Sequence, residues 1–90
     1  MDLHLKPWSV YILLCSDGTL YTGITTDMDR RIRQHNAGIA SRYTRSRLPV
    51  RLVYQQTYAT RSLALKREWA IKALPRSAKE ALLQQTCSTR

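Results

Sequence analysis

The sequence predicts an α+β domain in which a small three-stranded antiparallel sheet is flanked by helices, in the order ββαβαα. Three observations predict it. Apolar, β-branched and aromatic runs recur at Trp8–Cys15, Thr19–Ile24 and Val50–Tyr58. Between and after them lie segments of helical spacing, stopped by Gly38 and Pro75. The chain is 90 residues long and 43% hydrophobic, which suits one domain with its own core and is too apolar for a disordered chain. A domain of this size buries roughly 60% of the surface its unfolded chain exposes, enough to fold alone.

Each element has its own local reason. Trp8-Ser-Val-Tyr-Ile-Leu-Leu-Cys15 reads as a strand, Ser16-Asp17-Gly18 as a turn, and Thr19-Leu-Tyr-Thr-Gly-Ile24 as the returning strand of a β-hairpin. Thr26 is placed to cap the first helix, with Asp29 standing in for the acid of a capping box. That helix runs to about Asn36 and ends at Gly38, a left-handed stop. Met28 and Ile32 share its core face, and Arg31 and His35, also one turn apart, share another. A basic loop closed by Pro49 leads into the third strand, Val50–Tyr58. Thr60 or Ser62 caps a second helix over Leu63–Leu74, which Pro75 stops, and a short amphipathic helix follows through Leu83. The domain therefore spans residues 8–83, between a loose N-terminus (1–7) and a loose tail (84–90).

Composition narrows the function. No apolar run approaches the ~20 residues of a membrane span, so no membrane partner is expected. The N-terminus lacks the charged-then-apolar pattern of an export signal, which points to the cytoplasm. In that reducing compartment a Cys15–Cys87 disulfide is not expected. The two cysteines and two histidines have no zinc-ligand spacing, and the three glycines form no phosphate-cradling loop. The net charge is +9, with 11 arginines and 4 lysines, and from Arg30 to Arg67 ten basic residues occur without an acid. Within this stretch Arg42, Arg45 and Arg47 surround Tyr43. Arginine forks match phosphate oxygens and an aromatic ring can stack on an exposed base, so the segment reads as a nucleic-acid footprint. A solvated loop that serves only solubility is the alternative.

Two constellations could carry chemistry. Glu68, one of only two glutamates, lies in an apolar helix beside Ala64, Leu65, Ile71 and Lys72. A carboxylate so placed needs a partner or a metal. A Glu68–Lys72 ion pair on a wet helix face, worth about 0.3–0.5 kcal/mol, would satisfy it equally. Arg31 could clamp a phosphate, and His35 could hydrogen-bond a phosphate oxygen or move a proton; both could also be plain solvated residues. Tyr11 and Tyr21, in adjacent strands, are by themselves packing residues.

Taken together these residues fit a family. Ser9-Val10-Tyr11 followed by Tyr21-Thr22-Gly23 resembles the paired motif of the GIY-YIG nuclease superfamily. Arg31 ten residues after Tyr21, His35 one helical turn later, and Glu68 in the helix after the third strand extend the resemblance over residues 8–74. Leu20-Tyr-Thr-Gly-Ile-Thr-Thr26, then Arg30-Arg31 and His35, look particularly like the small stand-alone YhbQ-like proteins of bacteria. The resemblance implies metal-dependent hydrolysis of DNA phosphodiester bonds. Glu68 would bind a single Mg2+ or Mn2+, and Tyr11 or Tyr21 would orient or deprotonate the attacking water. Arg31 would hold the scissile phosphate, and His35 would assist at the phosphate or nucleophile. Arg30, Arg42, Tyr43, Arg45 and Arg47 would bind nucleic acid, with Gly23 a structural part of the motif.

The chain departs from many relatives in having no asparagine after Glu68, and from some in having Ile24 where they carry lysine. With 90 residues there is no room for a separate DNA-selecting domain. The expectation is an endonuclease of weak sequence preference acting in DNA repair or processing, with no obligate protein partner. A catalytically weak DNA- or RNA-binding module on the same fold is the runner-up, ahead of a small protein that docks on another protein. A shared site also constrains the hairpin. A two-residue Asp17-Gly18 turn would put Tyr11 and Tyr21 on opposite faces. A three-residue Ser16-Asp17-Gly18 loop with Gly18 left-handed pairs Leu13 with Tyr21 and Tyr11 with Gly23, and brings both tyrosines to one face.

Overall fold

The computed structural model describes residues 6–88. Its elements are β1 (Trp8–Leu14), β2 (Leu20–Thr25), α1 (Met28–Asn36), α2 (Arg42–Arg45), β3 (Arg51–Tyr58), α3 (Arg61–Lys72) and α4 (Arg76–Ser88). The strands form one antiparallel sheet in the order β2-β1-β3. The expected α+β architecture is therefore the observed one, with one helix more than expected.

β1 is central and covered on both faces, so it is apolar at almost every position rather than alternating. Val10 and Ile12 pack against Ala64 and Ile71 of α3 and against Leu82 and Leu83 of α4. Tyr11 and Leu13 point the other way, into a cluster with Cys15 and Val50 that Met28 and Ile32 of α1 cover. The residues of β1 from Val10 to Leu13 are at most 2% exposed. Between Ile12 and Leu13 the pairing with β3 slips by one residue, because Ile12 faces Tyr54 and Leu13 faces Leu52, leaving Val53 as a bulge.

Local chemistry moves several boundaries. Asp27, not Thr26, caps α1: its carboxylate accepts from the Arg30 N–H at 3.1 Å, while Thr25 Oγ1 accepts from the Asp27 N–H. A carboxylate is at least as good a cap as a hydroxyl and also complements the helix dipole. Gly38, at φ +80°, ends the turn after α1 as expected. Thr60 caps α3, accepting from the Leu63 N–H, so that helix starts at Arg61 and ends at Lys72, two residues earlier than expected at each end. β3 starts at Arg51 because the backbone N–H and C=O of Val50 are both taken by the Asn36 side-chain amide, at 2.8 and 3.1 Å. That clamp ties the end of α1 to the start of β3. The last helix is longer than expected, continuing past Leu83 to Ser88, so most of the tail expected from residue 84 is helical. Residues 1–5 of the expected loose N-terminus and residues 89–90 lie outside the described residues. Cys15 is buried as a free thiol, and a pairing with Cys87 falls outside the described side chains.

Candidate active site

The hairpin sets the site. Ser16, Asp17 and Gly18 form a three-residue loop: the Cys15 N–H donates to Thr19 O, the Gly18 N–H donates to Cys15 O, and Gly18 sits at φ +85°. The Asp17 carboxylate accepts from the Thr19 hydroxyl and N–H, which hold it below the usual carboxylate range. This loop sets Leu13 opposite Tyr21 and Tyr11 opposite Gly23. Tyr11 and Tyr21 therefore share the face covered by α1. Gly23 is required there, because a Cβ at that position would stand 2.5 Å from Tyr11 Oη and 2.7 Å from its Cζ.

His35, in the last turn of α1, comes down between the two tyrosines. Its ring lies edge-on to Tyr11 and Tyr21, with centroids 5.9 and 5.3 Å away. It is 1% exposed, so it is not the plain solvated residue that was the alternative reading. Both ring nitrogens are engaged, Nε2 with Tyr11 Oη at 3.0 Å and Nδ1 with Thr44 Oγ1 at 2.8 Å. The proton positions follow from the partners. The Thr44 hydroxyl also lies 3.4 Å from Ser41 O, a carbonyl that only accepts, an arrangement that suits a proton on His35 Nδ1. Its oxygen then accepts from Nδ1–H. Burial, aided by the Arg31 charge, depresses the His35 pKa and keeps the ring neutral. In that tautomer Nε2 carries a lone pair that accepts from the Tyr11 hydroxyl. Burial pushes the Tyr11 hydroxyl well above its ordinary value, with Tyr21 and Glu68 adding to the rise and Arg31 opposing it.

Arg31 lies alongside. Its Nη1 donates to Gln34 Oε1 at 3.3 Å, while its Nε is buried with no hydrogen-bond partner among the described residues. Such an orphaned donor fits an absent anion. Arg31 lines a polar hollow of about 250 Å³ with Thr25, Asp27 and the exposed Arg30. Glu68 comes from α3, in the layer on the other side of the sheet. β2 is an edge strand, so the two layers can meet around it. The Glu68 carboxylate pairs with Lys72 Nζ at 3.2 Å. The i,i+4 pair weighed from the sequence is therefore present, with its lysine end in water (53% exposed) and its carboxylate end largely covered (13% exposed). Tyr11, Tyr21 and His35 thus form one cluster, and the charges of Arg31 and Glu68 both bear on its Tyr11 hydroxyl.

The basic segment is not simply a loop. Ser41 caps the short helix α2, accepting from the Tyr43 N–H, and Thr44 turns inward to hold His35. Tyr43 stacks on Tyr21 with centroids 5.9 Å apart. Arg47 lies over the Tyr43 ring at 3.9 Å, donates from Nε to Asp17 Oδ2 at 3.0 Å and from Nη1 to Tyr43 O at 2.8 Å. Arg47 is thus fastened within the protein, while Arg42 and Arg45 are exposed on α2. Thr44 and Gln34 were missed by sequence reasoning. Nothing in a run of Arg, Ser and Thr marks which hydroxyl turns inward. A larger hollow of about 480 Å³ on the outer side of α3, between Leu65 and Trp69, contains none of the candidate residues.

Residues 7–81 match the GIY-YIG catalytic domain family. The chain is similar to a UPF0213 protein of Desulfotalea psychrophila, 56% identical over 78 residues that cover 86% of this chain and 71% of that protein. A UPF0213 protein of Staphylococcus epidermidis is 48% identical over 85 residues, covering 94% of this chain and 99% of that one. Among solved structures, the solution NMR structure of a UPF0213 protein from Bacillus halodurans is similar, with 44% identity, a TM-score of 0.59, and coverage of 88% of this chain and 84% of that one. A motif pair on one face of the sheet, an arginine and a histidine on α1, a glutamate on α3 and a match across nearly the whole chain agree: this chain belongs to the GIY-YIG catalytic domain family, among the small stand-alone UPF0213 proteins.

Proposed function

We propose that this protein is a divalent-metal-dependent endonuclease that hydrolyses DNA phosphodiester bonds with little sequence preference, and that it works in the cytoplasm on DNA repair or processing. The observation that carries the reading is the presence of a buried Tyr11–His35 hydrogen bond, an arginine with an unpartnered buried Nε and a nearly buried carboxylate in a chain of this family.

The residues suit a single hard cation. Mg2+ is commonly held by one or two carboxylates together with waters and substrate phosphates, and Glu68 offers one carboxylate. Among the described residues no group of three or more acidic, histidine or cysteine side chains gathers to hold an ion, so waters and substrate oxygens would complete the coordination around Glu68. When bound, the ion supplies Lewis-acid stabilisation of the charge developing on the phosphate.

The chain's own residues do the rest. Because the Tyr11 proton is directed at His35 Nε2, the lone pairs of its oxygen are left to accept from an attacking water. As the water's oxygen bonds to phosphorus and the bond to the leaving sugar oxygen breaks, Tyr11 takes the water's proton and passes its own to His35; a solvent water protonates the leaving oxygen, and His35, whose charged form burial disfavours, returns its proton to solvent. A free phenolate is never required, which matters because burial disfavours one. His35 is a positioning and relay residue rather than a phosphate ligand. Thr44 holds its tautomer. Arg31 binds the phosphate and stabilises its transition-state charge. Tyr21 walls the site beside His35.

The experiment is nicking of supercoiled, branched and single-stranded DNA by the native protein and Glu68→Gln, in Mg2+, Mn2+ or EDTA. Glu68→Gln keeps shape but removes the charge a cation needs. Cleavage should fall by orders of magnitude while DNA affinity holds or rises. Equal cleavage by both proteins would end the metal-ligand assignment. The Lys72 pair favours a second reading, a DNA- or RNA-binding module with little activity, since it already neutralises Glu68. That reading gains if the native protein binds DNA and no metal supports cleavage.

A further inference from the structure

A second recess opens across the edge of β2. Leu20, Tyr21 and Thr22 of β2, Tyr43 of α2, Lys72 of α3 and Lys79 of α4 line a volume of about 240 Å³. Its walls come from both layers of the fold, and no carboxylate lines it. Lys79 has no acidic partner among the described residues. Lys72 is shared: its side chain lines the recess while its ammonium is paired with Glu68. Two lysines beside an aromatic pair, with a tyrosine ring for a sugar or base, make a site for one phosphate of a nucleic-acid strand.

We propose that this recess binds a backbone phosphate of the DNA strand next to the one held at Arg31, and that Lys72 serves it only when the charge of Glu68 is satisfied by something other than Lys72. The inference rests on the reading of Tyr21 and Glu68 as active-site residues. While Glu68 is bare, it holds Lys72 at 3.2 Å. A divalent cation on that carboxylate would displace the ammonium, which needs only a rotation of its flexible stem to face the recess. Cation binding and strand binding then favour one another through one lysine, and by linkage the effect is reciprocal. Helix α4 acquires a role by contributing Lys79.

The coupling can be tested without metal or cleavage. Binding of a short fluorescein-labelled DNA duplex is measured by anisotropy in EDTA for native protein, Lys79→Gln, Lys72→Gln, Glu68→Gln and Glu68→Gln/Lys72→Gln. Glutamine removes each charge with little change of shape, and circular dichroism checks that each variant is folded. Lys79→Gln should weaken binding and flatten the slope of log K against log salt by up to about 0.9, the signature of one lost phosphate contact. In the native background Lys72→Gln should change affinity little. In the Glu68→Gln background, where the lysine is released, the same change should cost about fivefold, a coupling within the range of contacting pairs. Equal costs of Lys72→Gln in both backgrounds would overturn the sharing of the lysine. A native affinity and slope in Lys79→Gln would overturn the recess as a phosphate site. Failure of the nuclease reading is seen separately, as absence of Mg2+- or Mn2+-dependent nicking, and a chain that shows the coupling without nicking would keep the subsite and lose the enzyme.

Discussion

Gly23 and Tyr11 face each other across the hairpin, and the space between them is complete only without a side chain. Gly23→Ala forces Tyr11 to move, since its ring is already tied to His35 and its Oη and Cζ lie within 2.7 Å of where the new carbon would stand. The overpacking should cost about 1–3 kcal/mol, read as a lower urea midpoint. Cleavage should fall at least tenfold even under conditions where the variant is fully folded, because the Tyr11–His35 hydrogen bond is what aims the tyrosine oxygen. A folded Gly23→Ala protein with native turnover would remove Tyr11 from the catalytic step. His35 shows a second residue-level lesson. A histidine on a polar helix of a basic protein turns out to be among the most buried side chains, with both nitrogens matched.

At the scale of elements, α2 divides the arginines by role. Arg42 and Arg45 project from it, while Arg47 fastens Tyr43 and Asp17 together. Replacing Arg42 and Arg45 by Ala together should weaken DNA binding broadly and flatten the salt slope by up to about 1.8, at about 0.9 per phosphate contact. Arg47→Ala should leave the slope nearly native and instead loosen the Tyr43–Tyr21 stack, visible as altered aromatic NMR shifts. If Arg47→Ala flattens the slope as much as either of the others, Arg47 leaves its internal partners for phosphate. Turnover at saturating DNA should change little in the double variant. It should drop sharply in Arg31→Ala, whose contact matters most in the transition state.

For the whole molecule, the buried Tyr11–His35 pair ties stability to pH at both ends. Burial lowers the folded-state pKa of His35, so the unfolded chain takes up a proton first as pH falls below about 6.5, and stability declines from there until the folded pKa is reached. Burial raises the folded-state pKa of Tyr11, so stability present below about pH 10 is lost as pH rises beyond it. Urea midpoints measured from about pH 8 down to about pH 5 should fall, and His35→Gln should flatten that limb; an unchanged limb in the variant would show that His35 is not the linked group. The sheet stands between two layers that share β1, so loss of either cluster exposes the same strand.

The choice between two hairpin loops, and so the register that brings Tyr11 and Tyr21 to one face, came from the family resemblance, while the three strands, the position of the hairpin turn and the helices carrying Arg31 and Glu68 were legible in the sequence. They depend on short-range chemistry: a glycine at φ +85°, period-2 and helical spacing, caps and a proline stop. The sequence also carried the paired motif words and the basic stretch. It could not say that His35 is buried, because that depends on Thr44, nine residues away, turning inward from a four-residue helix too short to have a periodicity of its own. Nor could it separate Arg47 from Arg42 and Arg45, since the carboxylate that engages Arg47 lies thirty residues earlier, in the hairpin loop. Helix spacing foresaw the Glu68–Lys72 pair but not its setting. How far each partner is buried, and that the lysine also faces a recess with Tyr21, Tyr43 and Lys79, was decided by how two helical layers meet around the edge of one strand. Local rules reach a few residues along the chain, whereas the charge balance of a site is set by groups that only the packed fold brings together.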